Sequence, residues 1–217
     1  MDICDSSATR TDHELFGAWC AGDAKAGEVL WERHSRSVLR FFRNKVPGPV
    51  ATDLAQRTIE HGLRLRRPAV SFRCYLLGIA RHQLLDYLRA EQRKKRRAGE
   101  LEQLVIEDVV GSPEDAMLAK RERRLLLRAL RRLPMVLQIA LELRYWEQLS
   151  DREIAEVLGV PLGTVKSRIL TGRAALRRLI EDLAQSPDEI RSTLDSLESW
   201  AVRMQAGQGR VAAAAAR

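Results

Sequence analysis

The 217-residue chain predicts an all-α protein made of two small helical domains. Strand signals are almost absent, with no alternating Val/Ile/Thr runs and no Asn-Gly or Asp-Gly hairpin turns. Apolar residues instead recur at the three-or-four spacing of helix faces along nearly the whole chain. Charge is laid out in blocks: residues 86–97 carry six Lys/Arg against two acids, 163–178 carry five and no acid, and 181–200 reverse the sign with six acids against Arg191 alone. With a formal net charge of +8, such blocks describe a polyanion-binding body followed by an acidic tail.

Helices are expected near 12–22 and 25–44. The segment VPGPVAT, with Pro47 and Pro49, separates them from a third near 52–66, and Pro68 interrupts again. A long helix starts near Ser71 and runs to about Arg97, with Phe72, Leu76, Ile79, Leu84 and Leu88 on its buried face. These helices form a first domain, 12–97. Residues 98–112 turn acidic and lose a clear period, as a linker does. A second domain, 113–183, follows. Ser112, Pro113 and Asp115 mark the start of a helix near 114–132, and Pro134 opens another to about Glu147.

Ser150 with Glu153 three residues later is a capping box, in which each side chain satisfies the other's free backbone N–H. The helix it starts is short, because Gly159 can adopt the left-handed conformation that ends helices. In the next helix Val165, Ile169, Leu176 and Ile180 lie mostly on one face. Two helices joined by a tight glycine turn make a helix-turn-helix.

The string GVPLGTVKSR (159–168) crosses that turn, and two chemistries compete for it. A phosphate-cradling nucleotide loop needs lysine directly after its second glycine, and a preceding strand. Here Gly163 stands three residues before Lys166 and no strand precedes it. The spacing favours a DNA-reading helix, whose N-terminal end offers free N–H groups to phosphate. Thr164, Lys166, Ser167 and Arg168 are polar between Val165 and Ile169, so they should face outward, where such residues contact guanine edges and phosphates. The competing reading of these residues is a solvated helix face inside a bundle.

Other chemistries find little support. Cys4, Cys20 and Cys74 are odd in number and far apart, and His13, His34, His61 and His82 lack ligand spacing. No metal, no cofactor and no catalytic residues are therefore expected. No nucleophile elbow is present, and no set of acids able to hold two metal ions. No apolar run approaches the ~18 residues that cross a bilayer, and the acidic, polar N-terminus is unlike a signal peptide. No membrane insertion and a cytoplasmic location are expected.

Residues 130–169, LRRLPMVLQIALELRYWEQLSDREIAEVLGVPLGTVKSRI, resemble the promoter-binding fourth region of bacterial sigma factors. DLAQRTIEHGLR (53–64) is similar to the core-polymerase-binding helix of their second region. FRCYLLGIARHQLLDYLR (72–89) is similar to the helix that contacts and opens the promoter. With a linker too short for a middle domain, the layout resembles the extracytoplasmic-function (ECF) group. The resemblance implies a non-enzymatic subunit that binds core RNA polymerase, recognises promoter DNA, helps to open it, and answers to an anti-sigma factor. It places Asp53, Leu54, Gln56 and Arg57 toward the polymerase clamp, although the family commonly has Glu where Arg57 stands. It places the loop Arg66 to Ser71, including Arg67, around a flipped base of the minus-ten element. Arg73, Tyr75, Arg81, His82, Asp86, Arg89 and Arg93 fall on the same DNA-binding helix, Tyr75 standing where Trp is frequent and His82 where Asn is. Thr164, Lys166, Ser167, Arg168 and Arg173 would contact the minus-thirty-five element. Thr171-Gly172 replaces a more basic pair, which removes one expected phosphate contact.

Unstacking DNA costs a few kcal/mol per step, and capture of an extruded base offsets part of it. Two modest DNA-binding domains on one linker gain effective concentration. The alternative is a helix-turn-helix regulator that never joins the polymerase, for which the first domain would be superfluous. After these domains, Ser186, Pro187 and Glu189 signal another helix, 186–205, with Ile190, Leu194, Leu197, Ala201 and Met204 on one stripe. It would either pack on the second domain or act as an acidic regulatory element. Residues 206–217 read as a disordered tail.

Overall fold

The computed structural model describes residues 10–64, 71–97, 121–191 and 193–194. The chain splits into two compact units, with the boundary between Leu104 and Val105. Every regular element among the described residues is a helix.

In the first unit, α1 (Asp12–Cys20) and α2 (Ala24–Arg43) are joined by a short turn. Thr11 opens α1 with a capping box: the Glu14 N–H donates to the Thr11 hydroxyl at 3.3 Å, and the Thr11 N–H donates to the Glu14 carboxylate at 2.7 Å. Asp23 caps α2 by accepting from the N–H groups of Lys25 and Ala26. α3 (Gly48–Arg64) begins some four residues earlier than the proline-bounded expectation, with Pro49 inside its first turn. A first-turn residue has no intrahelical acceptor for its N–H, so proline is tolerated there. α4 (Phe72–Arg97) is the longest helix among the described residues.

These four helices bury Leu15 and Phe16 of α1, Leu30, Val38, Phe41 and Phe42 of α2, Ala51 and Ile59 of α3, and Phe72, Leu76, Leu77 and Leu84 of α4. Each large side chain so buried contributes roughly 1.5–3 kcal/mol. Phe72 anchors the start of α4 against rings from α1 and α2, with centroids 5.1 Å from Phe16 and 5.4 Å from His34. Lys45, just past α2, is fully buried. Its ammonium donates to the Phe41 carbonyl and lies 4.2 Å from the centre of the Phe41 ring, so a helix C-terminus and an aromatic face together stabilise the cation.

Asp12 ties α1 to α2. Its carboxylate accepts from the His34 ring Nε2–H at 2.7 Å and from Arg33 at 3.0 Å. Burial alone would raise its pKa, but the hydrogen bonds and charges of His34 and Arg33 outweigh burial and hold it below the usual aspartate value. A depressed carboxyl stabilises the fold above its unfolded pKa of about 3.9, and that stabilisation disappears as pH falls through the folded pKa. Asp12→Asn is expected to cost about 1–2 kcal/mol near neutral pH. It is also expected to flatten the acid limb of the unfolding profile, as measured by urea titrations between neutral pH and the acid range. An unchanged acid limb would remove Asp12 as its source.

The second unit starts, among the described residues, with α5 (Arg121–Arg131); the expected start at Pro113 and Asp115 lies outside them. Leu133 and Pro134 turn the chain into α6 (Met135–Tyr145), followed by α7 (Asp151–Leu158) and α8 (Leu162–Leu183). Leu125, Leu126, Ala129, Leu130, Leu133, Leu141, Trp146, Leu176 and Ile180 form one core cluster. Beyond α8, the Glu189 N–H donates to the Ser186 hydroxyl at 3.2 Å, and residues 187–191 and 193–194 are helical. Ile190 and Leu194 pack against the same cluster. The start of the expected C-terminal helix is thus seated on its own unit. Its stretch from 195 to 205, and the tail after it, lie outside the described residues.

Candidate nucleic-acid interface

The helix-turn-helix is built by local chemistry at both ends of α7. At its start, Ser150 and Glu153 exchange backbone bonds at 3.3 and 2.7 Å. At its end, Gly159 takes φ 63° and ψ 39°, a left-handed conformation that glycine adopts without steric cost. The Val160 N–H then reaches back to the Ala155 carbonyl at 3.2 Å, closing the helix with a Schellman turn. Gln148, in the turn before α7, also has a positive φ of 54°, which is uncommon for a residue with a side chain.

Pro161 precedes α8, and its carbonyl accepts from the N–H groups of Thr164 and Val165 at 2.9 and 3.2 Å. Val165 is fully buried, as are Leu176 and Ile180, which fixes the helix about its axis. That rotation leaves Lys166, Ser167 and Arg173 exposed and Thr164 and Arg168 half-buried. The Ser167 hydroxyl donates to the Thr164 carbonyl at 3.0 Å, which leaves its oxygen lone pairs facing outward as acceptors. All five residues expected at the DNA face therefore retain solvent access along one helix. Arg177, farther along, is paired with Glu181 at 3.2 Å.

The pair Thr171-Gly172 divides between the surface and the core. Gly172 is buried, and a Cβ placed there would lie 3.1 Å from Leu141 Cγ. The glycine lets α8 approach α6 closely, and position 172 points into the unit. Only Thr171 of the pair is exposed.

In the first unit, α4 carries the candidate minus-ten residues. Tyr75, His82, Asp86, Arg89 and Arg93 fall on one stripe at spacings of seven, four, three and four. The last four are exposed, and Tyr75 is half-buried with its ring centre 6.4 Å from Phe72. Asp86 pairs with Arg89 at 3.1 Å. Arg81 and Arg73 are half-buried and lie off this stripe. Ser71 accepts from the Cys74 N–H at 3.4 Å through its hydroxyl, so it caps α4. Arg66 and Arg67 lie outside the described residues.

On α3, Asp53, Gln56 and Arg57 are exposed, together with Glu60, which the sequence did not single out. Asp53 pairs with Arg57 at 3.0 Å and Gln56 donates to Glu60 at 3.0 Å. Leu54 does not share this face: it is 6% exposed and turned into the core. Helical rotation of about 100° per residue separates it from Asp53. Among the described residues no His, Cys, Asp and Glu side chains are grouped to hold a metal ion, and no helix is long and apolar enough to cross a membrane.

Comparison with known proteins follows the same division. The family described as "Sigma-70 region 2" matches residues 30–94, and "Sigma-70, region 4" matches 123–176. An ECF RNA polymerase sigma-E factor of Haemophilus influenzae is 30% identical over 191 residues, covering 80% of this chain and 97% of that protein. The protein of the same description in Escherichia coli K12 is 28% identical over 184 residues, covering 80% and 96%. Among solved structures, CnrH in complex with the cytosolic domain of CnrY aligns with a TM-score of 0.61 at 21% identity, covering 80% of this chain and 99% of that one. RpoE in complex with the anti-sigma factor NepR from Bartonella quintana aligns at 0.62 and 20%, covering 71% and 96%. At these identities the structural likeness is one of fold.

Proposed function

The chain belongs to the ECF sigma factors, which are transcription initiation factors and not enzymes, and from that premise we propose how its faces divide the work. Unit one docks core RNA polymerase through Asp53, Gln56 and Arg57 of α3. Its α4 stripe, Tyr75, His82, Asp86, Arg89 and Arg93, follows the minus-ten DNA, with Arg81 on the duplex side of the same helix, and the loop Arg66 to Ser71, Arg67 included, captures the flipped base beside Arg73. Unit two reads the minus-thirty-five element with Thr164, Lys166, Ser167, Arg168 and Arg173. The protein acts in the cytoplasm and is held in check by an anti-sigma factor, as the Bartonella quintana protein in its complex with NepR suggests.

The observation that carries this reading is the presence, on one chain and in this order, of the exposed α3–α4 faces and the helix-turn-helix. A regulator that only binds DNA needs the second but not the first. The purified chain mixed with sigma-free core polymerase should direct initiation from a subset of promoters on genomic DNA. Failure to assemble with the core, or assembly without initiation at any promoter, would overturn it.

A further inference from the structure

α1 carries none of the residues placed above on DNA or on the polymerase, yet it touches the end of α3 and the start of α4. Near its own end, the Trp19 indole N–H donates to the Leu63 carbonyl at 3.0 Å, across 44 positions of sequence. Leu63 is the last residue but one of α3, so its carbonyl belongs to the final turn, whose acceptors find no donor within the helix. The Trp19 ring is seated on Gly27 of α2, where a Cβ would overlap the ring's Cε3 and lie 2.7 Å from its Cζ3. Phe16, on the same short helix, packs its ring against Phe72, the first residue of α4, with centroids 5.1 Å apart. Gly62 then brings the last turn of α3 against α4, where a Cβ would overlap Leu76 Cδ2.

The chain leaves α3 at Arg64 and enters α4 at Phe72, so α1 holds both ends of the connection between them. A part-buried carbonyl left without its donor is unfavourable, and the bond from Trp19 therefore fixes where α3 stops. A loop held ready in its bound geometry loses less freedom when its ligand arrives, and binds more tightly for that reason. Resting on the base-capture role proposed above for the loop Arg66 to Ser71, we infer that Trp19 is a positioning residue for that capture, setting the α3 end of the loop through Leu63. Its indole N–H is spent on the protein, so it acts on the captured base only through the loop.

The test uses holoenzyme formed from the full chain and core polymerase. Single-stranded oligonucleotides randomised over the minus-ten element are selected on it, and the enriched strand is remade with an abasic site at each position in turn. Wild-type holoenzyme should lose about ten-fold in affinity at one of these positions, the scale of one captured base. Trp19→Phe removes the N–H and keeps a ring over Gly27. Its holoenzyme should bind the intact strand about ten-fold more weakly than the wild type does and lose less than about two-fold further at that abasic position. Assembly with the core, and the losses at other positions, should stay as in the wild type. A merely structural role would weaken the intact and abasic strands alike and leave their ratio unchanged. Should Trp19→Phe fail to fold, benzothienylalanine placed at position 19 serves instead, because it exchanges only the N–H for sulfur in a ring of the same shape.

A folded variant that keeps the full loss at the abasic position overturns the inference alone. Wild-type holoenzyme that loses affinity at no abasic position would overturn base capture by the loop, and the inference with it.

Discussion

Gly172→Arg is expected to destabilise the second unit by about 3 kcal/mol or more and to abolish DNA binding by loss of fold. The position looks like a gap in the basic face of α8, and arginine there would seem to restore a phosphate contact. The geometry says the opposite. A Cβ alone would lie 3.1–3.4 Å from three side-chain atoms of Leu141, and Leu141 is itself 2% exposed. A guanidinium would have to be buried there or force α6 and α8 apart, and an uncompensated buried charge is strongly unfavourable. Thr171→Arg, at the exposed member of the pair, should leave the melting temperature unchanged. It should also steepen the dependence of DNA affinity on salt by about one counterion. Thermal melts and salt titrations of the two variants separate the cases. A stably folded Gly172→Arg protein with tighter DNA binding would contradict the packing.

Leu54→Ala and Gln56→Ala, two residues apart on α3, should fail in different ways. Leu54 is almost fully buried, and truncating such a leucine costs about 2–5 kcal/mol in lost burial and the cavity left behind. Chemical denaturation should show that loss, and core polymerase binding should fall only as far as the fold does. Gln56 is exposed and bonded along its own helix to Glu60, so its removal should change stability by less than about 0.5 kcal/mol. If α3 docks the polymerase through this face, Gln56→Ala should still weaken assembly with the core. Wild-type assembly by both Gln56→Ala and Asp53→Ala would move the docking face off this side of α3.

Much of this architecture could be read in the residues because it is local. Ser150, Glu153 and Gly159 act within a few residues of their own positions, so the helix-turn-helix follows from short-range hydrogen bonds and one left-handed dihedral. The long α4 was legible for a similar reason, since Phe72, Leu76 and Leu84 repeat at helix spacing. What escaped depends on contacts distant in sequence or on absent side chains. Gly172 lies seven residues after Val165, on the same core-facing line, yet a glycine has no apolar side chain to mark that line. Leu54 sits between the polar Asp53 and the small Ala55, so the resemblance grouped it with its exposed neighbours although its rotation points inward. Pro47 and Pro49 suggested a break through 51, because the exemption of first-turn residues from donating an intrahelical bond does not show until the helix start is known.

The seating of Ile190 and Leu194 on the second unit changes what a truncation can reveal. These side chains pack against the core cluster of the unit, so a chain cut at Ser186 loses part of that packing as well as its acidic residues. Any gain or loss in promoter binding would then mix unpacking with electrostatics. A chain ending just after Leu194 keeps that packing and removes Asp195 and Glu198, which makes that boundary the surgical line between the body of the domain and its acidic extension.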